Sequence, residues 1–92
     1  MYVIVQHDVK NPAQFWPKAQ QGIPALPSHL KLHHCFPTGD GSRAVCLWEA
    51  DSVGTVEQFF QENGLNESSR NTLFGVENKE GVVLPSSLQR VE

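Results

Sequence analysis

The chain has 92 residues, of which 39% are hydrophobic and 18% charged, and a formal net charge of −3. This composition suits one globular domain and excludes a disordered chain; the length supports one modest core and not two lobes with a cleft between them. The seven basic residues, Lys10, Lys18, Lys31, Arg43, Arg70, Lys79 and Arg90, are scattered and form no stripe that could follow a phosphate backbone, which argues against nucleic acid as a partner. The apolar run from Tyr2 to Val5 is too short for a membrane span or a signal-peptide core, so the expectation is a cytoplasmic protein without a leader or a membrane partner. In that setting Cys35 and Cys46 are expected as free thiols rather than a structural disulfide.

Tyr2 to His7 predicts a strand, being β-branched and aromatic with no turn residue. Asn11-Pro12 opens a helix, with Asn11 as the cap, Pro12 at the first helical position and Gln14 where a capping box needs it. Phe15, Ala19 and Ile23 repeat at helical spacing. Pro17 has no N–H for the Ala13 carbonyl and predicts a kink or a loose first turn, and Gly22 to Pro27 ends the helix. Leu30 to Phe36 reads as a second strand and Arg43 to Ala50 as a third. Pro37-Thr38-Gly39-Asp40-Gly41-Ser42 is the hairpin connection between them. Asp51-Ser52 caps a second helix carrying Val53, Val56, Phe59 and Phe60 on one stripe, and Asn63-Gly64 closes it. Thr72 to Glu77 is a weaker fourth strand. The domain is placed at residues 1–80, and residues 81–92 read as an irregular tail.

Strand, helix, strand, strand, helix, strand at these lengths is the α+β, ferredoxin-like βαββαβ order, an antiparallel sheet with two helices on one face. The other face is then bare, and an apolar bare sheet is an association liability. The expected cover is a second copy, sheet against sheet, giving a homodimer.

The opening Tyr2-Val3-Ile4-Val5-Gln6-His7, the helix entry Asn11-Pro12-Ala13-Gln14-Phe15-Trp16 and the stretch Arg43-Ala44-Val45-Cys46-Leu47-Trp48-Glu49-Ala50-Asp51-Ser52 resemble, in layout, the dimeric α/β-barrel families. The likeness is to antibiotic-biosynthesis-monooxygenase-like and stress-responsive barrel proteins. The resemblance implies a dimer whose two sheets close a barrel around a central cavity. Members of these families include cofactor-free oxygenases, small-ligand and haem-degrading proteins and metal binders, so the fold alone assigns no function.

Period-two alternation places Leu32, His34 and Phe36 on one face of the second strand and Lys31, His33 and Cys35 on the other. With Gly39-Asp40 at the tip of the turn, His33 falls opposite Cys46, Lys31 opposite Trp48 and Leu32 opposite Leu47. The aliphatic Leu32–Leu47 face is then expected against the helices, and His33, Cys35, Cys46 and Trp48 are expected to look into the barrel. Three chemistries fit such a lining. The leading one is a small-molecule pocket walled by Trp48, Cys46, His33, Tyr2 and Gln6, with a Trp48 that simply fills the barrel as its bland counterpart. The second is a transition-metal site made of His33, Cys35 and Cys46, with His7 or His34 added. The third is cofactor-independent oxygenase chemistry, suggested by the resemblance, which needs a base such as His7 or His33. The sequence requires no cofactor and specifies no ligand.

Overall fold

A computed structural model describes residues 1–81 and 84–86 of the chain; the remainder of the expected tail lies outside the described residues. The elements are β1 (Tyr2–Val9), α1 (Pro12–Gly22) followed by a 3-10 turn (Ile23–Ala25), β2 (Lys31–Pro37), β3 (Arg43–Glu49), α2 (Val53–Glu62) and β4 (Ser69–Val76). The four strands form one antiparallel sheet in the order β2-β3-β1-β4. This is the α+β, ferredoxin-like βαββαβ layout expected from the sequence.

Local chemistry explains the helix boundaries. The Asn11 side chain accepts the Gln14 N–H at 3.3 Å and caps α1, while its amide nitrogen donates to Gln14 Oε1 at 3.5 Å; the expected capping box does not close, because the Asn11 backbone N–H donates to the Ser68 carbonyl at 3.1 Å instead. Ser52 Oγ accepts the Thr55 N–H at 3.2 Å and starts α2. Gly64, at φ 70°, takes the left-handed conformation just past the end of α2. α1 runs from Pro12 to Gly22 without a break at Pro17. The missing N–H forfeits a single hydrogen bond, and the neighbouring Phe15 and Trp16 hold this part of the helix on the core. β4 begins at Ser69, earlier than its apolar residues announce, because Ser69, Arg70 and Asn71 pair with Val9, Asp8 and His7 along β1.

Both helices cover one face of the sheet. Val3, Val5, His7 and Val9 of β1 are buried there, as are Ala44, Cys46 and Trp48 of β3. The His7 ring lies 5.2 Å from Phe15 of α1 and 5.5 Å from Phe60 of α2, and Trp48 lies 5.7 and 5.6 Å from Phe59 and Phe60. The expectation that Trp48 and Cys46 face away from the helices is therefore corrected. The large indole finds its aromatic partners on the helix stripe, and burying it there removes more apolar surface from water than burying Leu47 would.

The hairpin register is corrected as well. Its tip lies at Asp40-Gly41, so that Pro37 pairs with Ala44, Phe36 with Val45 and Cys35 with Cys46. Gly41 takes the positive φ of 73° that the turn needs. Its neighbours are tied by the Asp40 carboxylate, which accepts from the Ser42 N–H, the Ser42 hydroxyl and the Thr38 hydroxyl at 3.0, 2.8 and 2.9 Å. A β-bulge then falls between Leu32 and His34. The extra residue, His33, breaks the alternation, so Leu32 joins Trp48 on the helix side while His34 joins Leu47 on the open side. Leu32 and Cys35 thereby both face the helices despite their odd spacing.

Candidate functional site: a cavity beneath the first helix

Between α1 and the β2–β3 hairpin lies a cavity of about 330 Å³. Phe15, Trp16, Ala19 and Ile23 of α1 and its following turn form the roof; Leu32, Cys35, Cys46 and Trp48 form the floor, and His7 and Leu65 close the side. The roof is pinned at one end. Trp16 Nε1 donates to the Gly41 carbonyl at 2.9 Å, and the Trp16 indole stands edge-on to Phe15 at 4.9 Å. The helix is thus tied to the hairpin tip and bridges the space behind it.

Besides Gln20 at the roof, three polar groups belong to residues of this lining. His7 is 5% exposed, and its Nδ1 lies 2.6 Å from Asn71 Oδ1. That oxygen also accepts from Ser69 Oγ at 2.8 Å, while the Asn71 amide nitrogen donates to Asn66 Oδ1 at 2.7 Å. The network presents an acceptor to His7, so Nδ1 carries the proton and Nε2 keeps its lone pair. Burial lowers the His7 pKa below its ordinary value, only partly opposed by the Asn71 hydrogen bond, and the ring is neutral near pH 7. Nε2 makes no hydrogen bond among the described residues.

The second group is the Trp48 indole N–H. Trp48 is 2% exposed, and its Nε1 has no hydrogen-bond partner among the described residues. The third is a pair of thiols: the buried Cys46 donates its S–H to the exposed Cys35, with 3.1 Å between the sulfurs. Burial, reinforced by the neighbouring Cys35, pushes the Cys46 thiol well above the usual thiol range.

The residues singled out from sequence are divided by the sheet. Cys46 and Trp48 line the cavity on the helix side. Tyr2, Gln6 and His33 lie on the open side, where the Tyr2 and His33 rings are 5.6 Å apart and His33 Nε2 meets Glu49 Oε1 at 2.8 Å. The His33 hydrogen bond holds the Glu49 carboxyl below the usual range. The proposed metal ligands separate in the same way. Cys35 and Cys46 meet, but the bulge turns His33 to the opposite face, and His34 stacks on Phe36 at 5.7 Å. Among the described residues no group of three His, Cys, Asp or Glu side chains is placed to hold a metal ion.

Sequence reasoning overlooked Asn71, which fixes the His7 tautomer, and the cavity walls Ile23 and Leu32. Its one available signal was β1 itself, where His7 interrupts a Val3, Val5, Val9 series on a single face. A larger depression of about 770 Å³ along Met1, Gly75, Glu77 and Lys79 is open to solvent, and none of the buried polar residues described lines it.

Comparison of the chain with protein-family models, with curated proteins and with solved structures gives no match. Among the described residues no helix is long and apolar enough to cross a membrane.

Proposed function

We propose that this protein binds a small, largely apolar molecule carrying a hydrogen-bond acceptor, in the cavity beneath α1. The observation that carries this reading is the Trp48 N–H, buried and unpartnered among the described residues, on an indole that lines an apolar space. A buried donor without an acceptor costs about 1–3 kcal/mol. A carbonyl, ether or phenolate oxygen of a ligand recovers that loss while its apolar body displaces water from Phe15, Ile23 and Leu32. The volume, about 330 Å³, lies at the lower end of the roughly 300–1,000 Å³ of small-molecule pockets. A compact ring system suits it better than an extended chain. Binding moves from the barrel interior expected on sequence to the helix side of the sheet, because that is where Trp48 and Cys46 point.

The test is a nuclear magnetic resonance screen of the intact chain with small carbonyl-bearing and phenolic aromatics. Binding is expected to shift the Trp48 indole resonance and the Leu32 and Ile23 methyls together. Compounds that leave all three unmoved at millimolar concentration, with the Trp48 N–H exchanging freely with water, refute the reading.

A second reading has its own support in His7. A neutral imidazole with Nδ1 fixed and Nε2 free is the arrangement a general base needs. In this reading Nε2 removes an acidic O–H or C–H proton from the bound molecule, the opening step of the cofactor-independent oxygenases that the layout resembles. Consumption of dissolved oxygen with an enolisable or phenolic substrate, abolished by His7→Gln, tests it.

We also propose that the open sheet face is covered by a second copy of the chain. Phe36, Val45 and Phe74 are 64%, 40% and 41% exposed, and register places Ile4 and Leu47 between them. The exposed row runs across all the strands, which suits a sheet-on-sheet contact better than a narrow peptide groove. Tyr2 and Gln6 then fall within the dimer interface.

A further inference from the structure

Cys35 and Cys46 stand opposite one another across the β2–β3 pair, with their sulfurs 3.1 Å apart. Residues directly opposed in an antiparallel ladder have Cα atoms about 4.5–5.5 Å apart. A disulfide spans Cα separations of about 4.4–6.8 Å. Bringing the sulfurs from 3.1 Å to the bond length of about 2.05 Å therefore calls for side-chain rotation and no displacement of either strand. The two thiols are not equivalent. Cys35 sits on the edge strand and is exposed, whereas Cys46 is buried beneath the first helix.

We propose that Cys35 and Cys46 are a reversible two-electron thiol–disulfide pair, in which Cys35 reacts first with a hydroperoxide and Cys46 resolves the product. In the first step the Cys35 thiolate attacks a peroxide oxygen. An S–O bond forms, the O–O bond breaks, and the departing alkoxide or hydroxide takes a proton to become alcohol or water. Cys35 is then a sulfenic acid, and the peroxide has received two electrons. In the second step the Cys46 sulfur attacks the Cys35 sulfur. The S–S bond forms, the S–O bond breaks, and hydroxide leaves with the Cys46 thiol proton as water. Two thiols and one hydroperoxide become one disulfide, one alcohol or water, and one further water. Small thiols return the pair to its starting state by exchange, and are themselves oxidised to their disulfide.

Exposure makes Cys35 the sulfur a peroxide meets. Burial and the charge on an ionised Cys35 both hold Cys46 in its protonated form, so it does not compete in the first step. Once Cys35 is a neutral sulfenic acid, that charge is gone and its own sulfur is the electrophile nearest to Cys46. The proposal is independent of the ligand reading above, although both sulfurs lie in the cavity wall.

The test is intact-mass analysis and thiol counting of the whole chain after brief treatment with a slight excess of hydrogen peroxide. The expected product is a chain lighter by two hydrogens and not covalently joined to a second chain, with both thiols lost together, a Cys35–Cys46 link in the peptide map, and full reversal by dithiothreitol. Cys46→Ser should stop at a Cys35 sulfenic acid trapped by dimedone. Cys35→Ser should slow thiol oxidation by about tenfold or more, because the remaining thiol is buried and protonated. A wild-type chain that gains oxygen atoms instead of losing hydrogens, one that links only through Cys35 to a second chain, or a Cys35→Ser variant oxidising at the wild-type rate would overturn the proposal. The wild-type mass decides the matter even if a variant fails to fold.

Discussion

His7 and Asn71 face each other across the β1–β4 pair, with His7 Nδ1 2.6 Å from Asn71 Oδ1, so the second helix-flanking half of the chain sets the tautomer of a residue in the first strand. This contact has a measurable consequence for pH dependence. The folded-state pKa of His7 is lowered from 6.5, so the unfolded chain takes up a proton at higher pH than the folded one does. Stability is then complete above the unfolded value and is lost as pH falls below about 6.5 toward the depressed folded value. Thermal melts at pH 7.5, 6.5 and 5.5 should show the melting temperature of the wild type falling on acidification. His7→Gln should flatten that dependence. A wild-type curve already flat across this range would contradict the assignment of a buried, neutral imidazole.

Trp48 gives the second prediction. Trp48→Phe keeps an aromatic ring against Phe59 and Phe60 and removes the indole N–H. For a ligand that uses its acceptor on that N–H, the affinity should fall by roughly tenfold, the equivalent of one hydrogen bond of about 1.4 kcal/mol. Ligands of the same shape without an acceptor should be far less affected. Calorimetric titration of matched pairs separates the two; an equal loss for both would mean that only shape is recognised.

At the hairpin tip, Gly41 and Trp16 form a single unit. A Cβ at position 41 would lie 2.7 Å from Trp16 Nε1, and Gly41 has a φ of 73°. Gly41→Ala should destabilise the fold by about 1–3 kcal/mol through backbone strain and the displaced indole. Trp16→Phe should remove about 1 kcal/mol from the lost hydrogen bond, plus a packing loss. The double variant should be less destabilised than the sum, since the clash disappears with the indole nitrogen. Chemical denaturation of the three variants checks this, and strict additivity would show that strain alone governs the glycine.

The open sheet face predicts self-association. Phe74→Lys places a charge at the β4 end of the row containing Ile4 and Leu47. It should convert a dimer into a monomer in sedimentation equilibrium while leaving the cavity resonances in place. A wild-type chain that is monomeric at micromolar concentration removes the premise.

Helix capping was legible in the sequence because it is local. Asn11, Ser52 and Gly64 act within a few residues of themselves, and each performs as its type suggests. The βαββαβ order followed from the same reading, since strand and helix periodicities need no knowledge of distant partners. Residues of the site were legible only in part. Cys46 and Trp48 were recognised as a pair on one face, but the side that face turns to was reversed. A separate error placed the β2 residues, through a turn whose tip lies one residue later than assumed and a bulge at His33, which together re-sort β2 between the two sides of the sheet.

By itself, then, the sequence determined which segments are strands and helices, where the two helices begin, and that Cys46 and Trp48 share a neighbourhood. Tertiary structure alone decided that this neighbourhood is a cavity under α1, that Asn71 reaches His7, and that Cys35 meets Cys46. The reason is physical. Period-two alternation says that two faces differ but not which one is covered, and that choice is made by the helices, whose aromatic stripe of Phe15, Phe59 and Phe60 takes the face offering it the largest apolar side chain.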